Sequence, residues 1–362
     1  MKKRIFLILG ILVLLLVTYY SGPQIAVPSY VRELPRVPKD LNVLEQYVQS
    51  REAAYPLRKD NEARVIWQDE NPQITEYSLV YLHGFAGSYR DGYPLNVQIA
   101  DSLGANIYLS RMPGHGMVAS AAMEGFTPES AWESATEALE IGKTIGKKVI
   151  LMSTSTGGTL ALKLAQTYPE SVHALINLAP NIEDEVNSAF VLNSPWGHEI
   201  ARTLVGERKK IRYLNEKAGQ YWDTDYPSSA LVELQVLVST TMHEETFSQI
   251  SCPVITLYYY ENIFQKDGHV DVDVYPEVHD LFATPDSLKT LIELTTPKTH
   301  FLGSDLMSKD IASVSREILD FLYQDLRIPR KPINSLAVQE DKVDDHLAGG
   351  GLSQEEIPVA EK

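Results

Sequence analysis

Cysteine is almost absent from this chain: Cys252 is the one copy in 362 residues, so no intramolecular disulfide can form. That suits a cytosolic protein and is tolerable in an exported one of this size. Cys252 opens the apolar run SCPVITLYYY and is read as core filling rather than as a reactive thiol. Basic charge is also short, with 32 Lys and Arg against 48 Asp and Glu for a net charge of −16. A surface of that sign excludes nucleic acid as a partner, because phosphates call for a basic face. It gives no electrostatic help in docking onto anionic lipid either. No two histidines stand at ligand spacing beside a carboxylate, so neither a metal nor another cofactor is expected. No internal repeat is visible.

One long apolar run stands apart. MKKR is followed by IFLILGILVLLLVTYY, sixteen residues without a charge. As a helix it spans about 24 Å, short of a hydrocarbon core of roughly 30 Å. Lysine snorkelling and the interfacial Tyr19 and Tyr20 make up the gap. A cleaved signal peptide needs small residues at its last and third-last positions, and here Tyr19 or Tyr20 occupies the latter. No cysteine stands nearby to carry a lipid. The expectation is an uncleaved single-pass anchor over 1–20, partnering a membrane, with the body on the non-cytoplasmic side. The alternative is a soluble exported protein after cleavage.

Beyond a Pro-punctuated extension over 21–60, with a helix expected over DLNVLEQYVQSREAAY, short apolar runs alternate with amphipathic stretches. The runs are ARVIWQ, YSLVYLH, ANIYLSR, VILMS, HALINLAP, PVITLYYY and KTLIELTT. TPESAWESATEALEIGKTIG is a helix opened by Thr127 as cap, with Pro128 at the first helical position. KDIASVSREILDFLYQDL is a closing helix. Alternation of this kind predicts the α/β class, a mostly parallel central sheet covered by helices on both faces. Residues 61–181 and 248–328 form that core. Residues 182–247 show helical patterns and no clear strand, and read as a cap folding over one end of the sheet. The acidic tail over 329–362, with AGGGLSQEE, is expected to be disordered.

In an open parallel sheet the binding crevice lies at the carboxyl ends of the strands. VILMSTSTGGTLALKLAQ runs strand, tight turn, helix, so its turn belongs there. A nucleophile elbow needs a small residue two before the serine, glycine two after it, and a helix at once. Ser155 meets this with Ser153 and Gly157, although the usual motif has glycine where Ser153 stands. At the helix N-terminus, free N–H groups and the dipole favour a developing oxyanion. The plainer reading of Ser155 is a helix-capping serine. In VYLHGFAGS, His83, Gly84 and Phe85 end another strand. Oxyanion donors must come from two loops, which assigns the amides of Thr156 and Phe85. Gly84 allows close approach, and His83 reads as a brace.

LHGFAGS, SRMPGHGM and STSTGG together resemble the α/β-hydrolase superfamily, particularly its monoacylglycerol-lipase and carboxylesterase-like members, over roughly residues 60 to 328. The resemblance implies that Arg111 to Gly116 form a structural turn, with His115 a rival base rather than a catalytic group. It implies the chain order serine, acid, histidine. His300, after LIELTT and before the closing helix, fits the base. His269, His279 and His346 compete less well. The acid follows PVITLYYY, where Asp267 precedes a glycine and an apolar turn; Asp271 and Glu261 stand next. A serine nucleophile excludes the carboxylate-nucleophile branch of the fold.

These readings converge on a membrane-tethered serine hydrolase of carboxylic esters, with a small-molecule or lipid ester as substrate: a lysolipid or monoacylglycerol-like molecule. The alternatives are an inactive scaffold of the same fold, or the same triad acting on thioesters or amides or in acyl transfer. Cap aromatics Trp196, Tyr213, Tyr221, Trp222 and Tyr226 suit an acyl pocket and a self-folding cap equally.

Overall fold

The computed structural model describes residues 2–184, 189–212, 215 and 217–330. The expected acidic tail lies almost wholly outside the described residues.

Among the described residues ten strands and eleven α-helices follow one another. The N-terminal part holds α1 (Lys2–Tyr20), α2 (Leu41–Glu52), β1 (Arg64–Ile66), β2 (Thr75–Leu82), α3 (Leu95–Leu103) and β3 (Asn106–Leu109). Then come α4 (Pro128–Ile145), β4 (Gly146–Thr154), α5 (Thr156–Thr167) and β5 (Val172–Leu178). The cap carries α6 (Gly197–Val205), β6 (Arg208–Lys210), α7 (Ala218–Tyr221), β7 (Asp225–Pro227), α8 (Ser229–Thr241) and α9 (Glu244–Phe247). The chain returns through β8 (Val254–Asn262), β9 (Gln265–Lys266), α10 (Tyr275–Leu281), β10 (Lys289–Leu294) and α11 (Ile311–Asp320).

Eight strands form one sheet in the order β1-β3-β2-β4-β5-β8-β10, with β9 paired to β8. The inner pairings are parallel, and β1 joins β3 antiparallel. Leu79, Val80, Tyr81 and Leu82 of β2 are buried in succession, as are Ile150, Leu151 and Met152 of β4. Continuous burial of this kind marks strands covered on both faces, and all seven expected apolar runs lie in this sheet. Thr127 caps α4 with a capping box, and Pro128 stands at its first position. Trp132 of α4 is 1% exposed and stacks on Tyr168, donating from Nε1 to the Val31 carbonyl. The extension is thereby fixed to the core.

Two expectations need correction. The cap is not purely helical, because β6 and β7 pair in a small antiparallel sheet. Three-residue strands are too short for an alternation signal to separate them from turns. The single-pass membrane anchor is also not borne out. Among the described residues no helix is long and apolar enough to cross a membrane. The sixteen uncharged residues of α1 fall short in length, at about 1.5 Å per residue. What α1 does show is exposure on every side, from Ile5 through Leu9 and Leu14 to Tyr20. Its exit is held by the cap: Trp196 Nε1 donates to the Tyr19 carbonyl at 3.1 Å, and the Trp196 amide to that of Pro23 at 3.0 Å.

Candidate active site

β4 ends at Thr154, and the chain turns at Ser155 into α5. Ser155 has φ 53° and ψ −121°, a left-handed conformation rare for a residue with a side chain. Such strain persists only where the surroundings over-determine it, and it concentrates at functional sites. Four hydrogen bonds hold the bend here. The Ser155 amide donates to the Leu178 carbonyl at 3.1 Å. Its carbonyl accepts from Gly158, Thr159 and Asn181. A Cβ on Gly157 would lie 1.9 Å from the Leu82 carbonyl oxygen, so only glycine lets α5 reach the end of β2. The capping alternative fails, since the Ser155 side chain makes no cap hydrogen bond. Ser153 replaces the usual glycine without obstruction because its hydroxyl points across to β5 and donates to Asn177 Oδ1 at 2.9 Å.

The loop after β2 lies against this bend. A Cβ on Gly84 would stand 3.0 Å from that of Ser155. The Met112 amide donates to His83 Nε2 at 2.9 Å, so Nδ1 carries the proton and donates to the Gly84 carbonyl at 2.8 Å. Burial pushes His83 down to about 4, consistent with a neutral brace. The Gly87 amide donates to the same carbonyl at 3.1 Å. With the Gly84 carbonyl held by two donors, the Gly84–Phe85 peptide plane is fixed and the Phe85 N–H points the opposite way. Among the described residues, neither the Phe85 nor the Thr156 amide donates to a protein acceptor. The Thr156 amide heads α5, where first-turn N–H groups have no intrahelical partner.

His300 lies in the loop after β10 and is 3% exposed; Asp267 follows β8 and is 1% exposed. Asp267 Oδ2 accepts from His300 Nδ1 at 2.7 Å, while Oδ1 accepts from the His269 amide at 2.8 Å. Burial works to raise the Asp267 carboxyl, but the charge and hydrogen bond of His300 and the His269 amide outweigh it and hold it below the usual range. With Nδ1 bonded to Asp267, Nε2 is the ring nitrogen of His300 that remains. No hydrogen bond joins Ser155 Oγ to His300 in this structure; such contacts are often long before substrate binds.

The other candidates have different partners. Asp271 pairs with Lys266 and accepts from the Asp273 amide; Glu261 pairs with Lys298. His269 stacks on His300 with ring centroids 4.7 Å apart. His279 lies on α10 against Phe282. His115 is buried beside His83, Phe85 and Phe126, where burial holds it well below its ordinary value and no carboxylate backs the ring. The turn around it needs Gly114 and Gly116, both at positive φ, at 76° and 68°. Asp267, His269 and His300 bring ligand atoms within 4.8 Å of one another. The bond from Asp267 to His300 already uses two of them, so these residues fit an orienting pair better than a metal centre.

Two cap aromatics reach this crevice. Trp222, fully buried, meets Phe301 edge-to-face at 5.2 Å, and Tyr226 meets Phe85 at 5.5 Å. The Asp223 amide donates to the Ala86 carbonyl at 2.7 Å, and its carboxylate pairs with Arg58 at 2.6 Å. A separate groove of about 580 Å³, between the extension and α4, is lined by Tyr47, Arg51, Arg111 and Trp132 and includes neither Ser155 nor His300. Sequence reading passed over Tyr81 and Asp91. Both are fully buried behind Gly84, and neither carries a motif signal.

Comparison with known proteins agrees with this layout. A family model described as alpha/beta hydrolase fold matches residues 77–242. The biotin biosynthesis bifunctional protein BioHC of Teredinibacter turnerae is 26% identical over 261 residues. That covers 71% of this chain and 41% of the relative, so the chain spans about two fifths of that protein's length. A solved structure from the metagenome-derived lipolytic enzymes LipS and LipT superposes with a TM-score of 0.59 at 16% identity, covering 74% of this chain and 99% of that one. A monoacylglycerol lipase of Paleococcus ferrophilus gives 0.49 at 15%, covering 73% and 98%.

Replacing Gly157 with Ala should cost about 3 kcal/mol or more, because a backbone carbonyl occupies the space of the new methyl. Gly219→Ala, whose Cβ meets nothing within 4 Å, serves as control. Denaturation midpoints check this, and equal stability of the two variants would contradict it.

With the sheet order, the bend at Ser155 and the matched segment all in register, the chain has the α/β-hydrolase fold.

Proposed function

We propose that this protein is a serine hydrolase of carboxylic esters, acting on lipid esters through Ser155, His300 and Asp267. One observation carries the reading: a strained serine whose side chain makes no cap hydrogen bond follows β4, and a buried His–Asp pair follows β10 and β8, all at the carboxyl edge of the same parallel strands. Ser155 Oγ attacks the acyl carbonyl while His300 Nε2 takes its proton. Asp267 fixes the imidazole tautomer and stabilises the imidazolium that forms. The amides of Phe85 and Thr156 receive the oxyanion. Collapse of the intermediate expels the alcohol, protonated by His300. Water activated by the same imidazole then releases the acid and restores the serine.

The preference for lipid esters rests on α1. A helix that exposes apolar side chains all round, flanked by Arg4 and by Tyr19 and Tyr20, calls for apolar surroundings, which lipid supplies. In this reading α1 buries its sides in a leaflet and holds the cap at the membrane surface, where such esters reside. The lipolytic character of LipS and LipT agrees with that class.

A fluorophosphonate probe should label the wild-type protein and leave Ser155→Ala unlabelled. An unlabelled wild type would refute the hydrolase reading and favour an inactive scaffold. Against phosphatidylcholine vesicles, the full chain should float with lipid while a chain lacking residues 2–20 stays in solution and keeps its turnover of a soluble short-chain ester. Both forms remaining in solution would remove the membrane from the account.

A further inference from the structure

Behind the loop that carries Phe85 lies a second buried carboxyl that the mechanism above does not use. Asp91 and Tyr81 are fully buried, as is Thr154 next to the nucleophile. Asp91 Oδ2 accepts from the Gly84 amide at 2.6 Å, and Oδ1 accepts from the Tyr81 hydroxyl at 2.5 Å. Tyr81 in turn shares a proton with Thr154 Oγ1 at 2.7 Å. One chain of hydrogen bonds therefore runs from the oxyanion loop, through β2, to the last residue of β4 before Ser155. The local sequence is shaped around it. A Cβ on Gly87 would lie 2.9 Å from Asp91 Oδ2, and one on Gly92 only 2.2 Å from the Tyr81 hydroxyl. Among the described residues no Lys or Arg pairs with Asp91, and burial pushes its carboxyl up to about 7. A carboxyl buried without a cation costs stability, so a purely structural tie is a poor account of it.

We infer that Asp91 is a positioning residue for ester hydrolysis, an acceptor that pins the Gly84 amide and, through Tyr81 and Thr154, fixes the Phe85 donor relative to Ser155. The inference rests on the ester-hydrolase reading. It acts on the peptide next to the one that bears the donor: the Gly84 carbonyl, in the plane of the Phe85 N–H, is held by His83 and Gly87, and the Gly84 amide, in the preceding peptide, is held by Asp91, so both sides of the Gly84 Cα are fixed. What matters is an oxygen in that place rather than a charge. Protonated Asp91 can donate to Tyr81 while Tyr81 donates to Thr154, and Oδ2 still accepts from Gly84. Asparagine can do the same through Nδ2 and Oδ1. Positioning of this kind lowers the barrier only where charge develops on the carbonyl oxygen, so its loss falls on kcat and leaves KM nearly unchanged.

The test compares wild type, Asp91→Asn, Asp91→Ala and Tyr81→Phe for kcat and KM on a soluble ester, with amide hydrogen exchange over residues 83–87. Asp91→Ala should lose about 10²-fold in kcat, the low end for a lost oxyanion donor, at nearly constant KM. Exchange at Gly84 should quicken about tenfold for the missing hydrogen bond. Asp91→Asn should restore kcat to within a few-fold. Should the alanine variant not fold, Tyr81→Phe carries the test, with kcat about tenfold down and KM unchanged. Unchanged kcat in Tyr81→Phe and Asp91→Ala, an asparagine variant as poor as the alanine one, or unaltered exchange each overturns the inference. A wild type with no ester turnover at all defeats the hydrolase reading instead, and the exchange measurement then still decides whether Asp91 holds the loop.

Discussion

The site depends on how closely two backbone segments approach at the carboxyl ends of β2 and β4. Gly157 stands so near the Leu82 carbonyl, and Gly84 so near Ser155, that no side chain fits between them. That approach accompanies the left-handed bend of Ser155 and sets the loop that carries Phe85 against it. Neither strand could achieve it alone. The parallel pairing that sets Leu82 opposite Ser153 supplies the register, and the glycines supply the room. The energy for the strained serine comes from packing of the whole sheet, since β2 and β4 are buried on both faces.

Around this contact the molecule buries several ionisable groups that have hydrogen-bond partners. Asp267 is kept charged by His300 and an amide; Asp91 is held by a hydroxyl and an amide; His83 is neutral between an amide and a carbonyl. Buried charges are costly unless paired and hydrogen-bonded. Their concentration at one end of the sheet, with apolar side chains filling the rest of the core, marks that end as the candidate site. The cap completes the enclosure by laying Trp222 and Tyr226 over Phe301 and Phe85. It is tied to the base of the crevice by Asp223 and Arg58, and to α1 by Trp196.

Much of this was legible in the sequence because it follows from local rules. Fully buried strands read as continuous apolar runs, and Thr127 with Pro128 announces α4. Ser155 could be named because the elbow dictates small residues at fixed offsets. The partner of His300 was less accessible: Glu261, Asp267 and Asp271 follow the same apolar run within eleven residues, and only the fold decides that Asp267 meets His300 while Asp271 caps a turn and Glu261, still within β8, meets a lysine. Ser153 weakened the motif on paper, yet Asn177 on the neighbouring strand accepts its hydroxyl, a compensation that lies 24 residues away. Tyr81 and Asp91 gave no signal, since a buried tyrosine in a strand and an aspartate in a turn are ordinary in isolation. The α1 segment was legible as an apolar helix, but the snorkelling and interfacial tyrosines invoked to close its shortfall do not make it, among the described residues, a helix long and apolar enough to cross a membrane.

The most direct measurement is the structure of the protein after reaction with a phosphonate ester probe. The account predicts a covalent bond from phosphorus to Ser155 Oγ, with the phosphoryl oxygen about 2.7–3.1 Å from both the Phe85 and Thr156 amides. It also predicts His300 Nε2 facing the serine while Nδ1 stays on Asp267. An adduct on another residue, or a phosphoryl oxygen turned away from both amides, would contradict it.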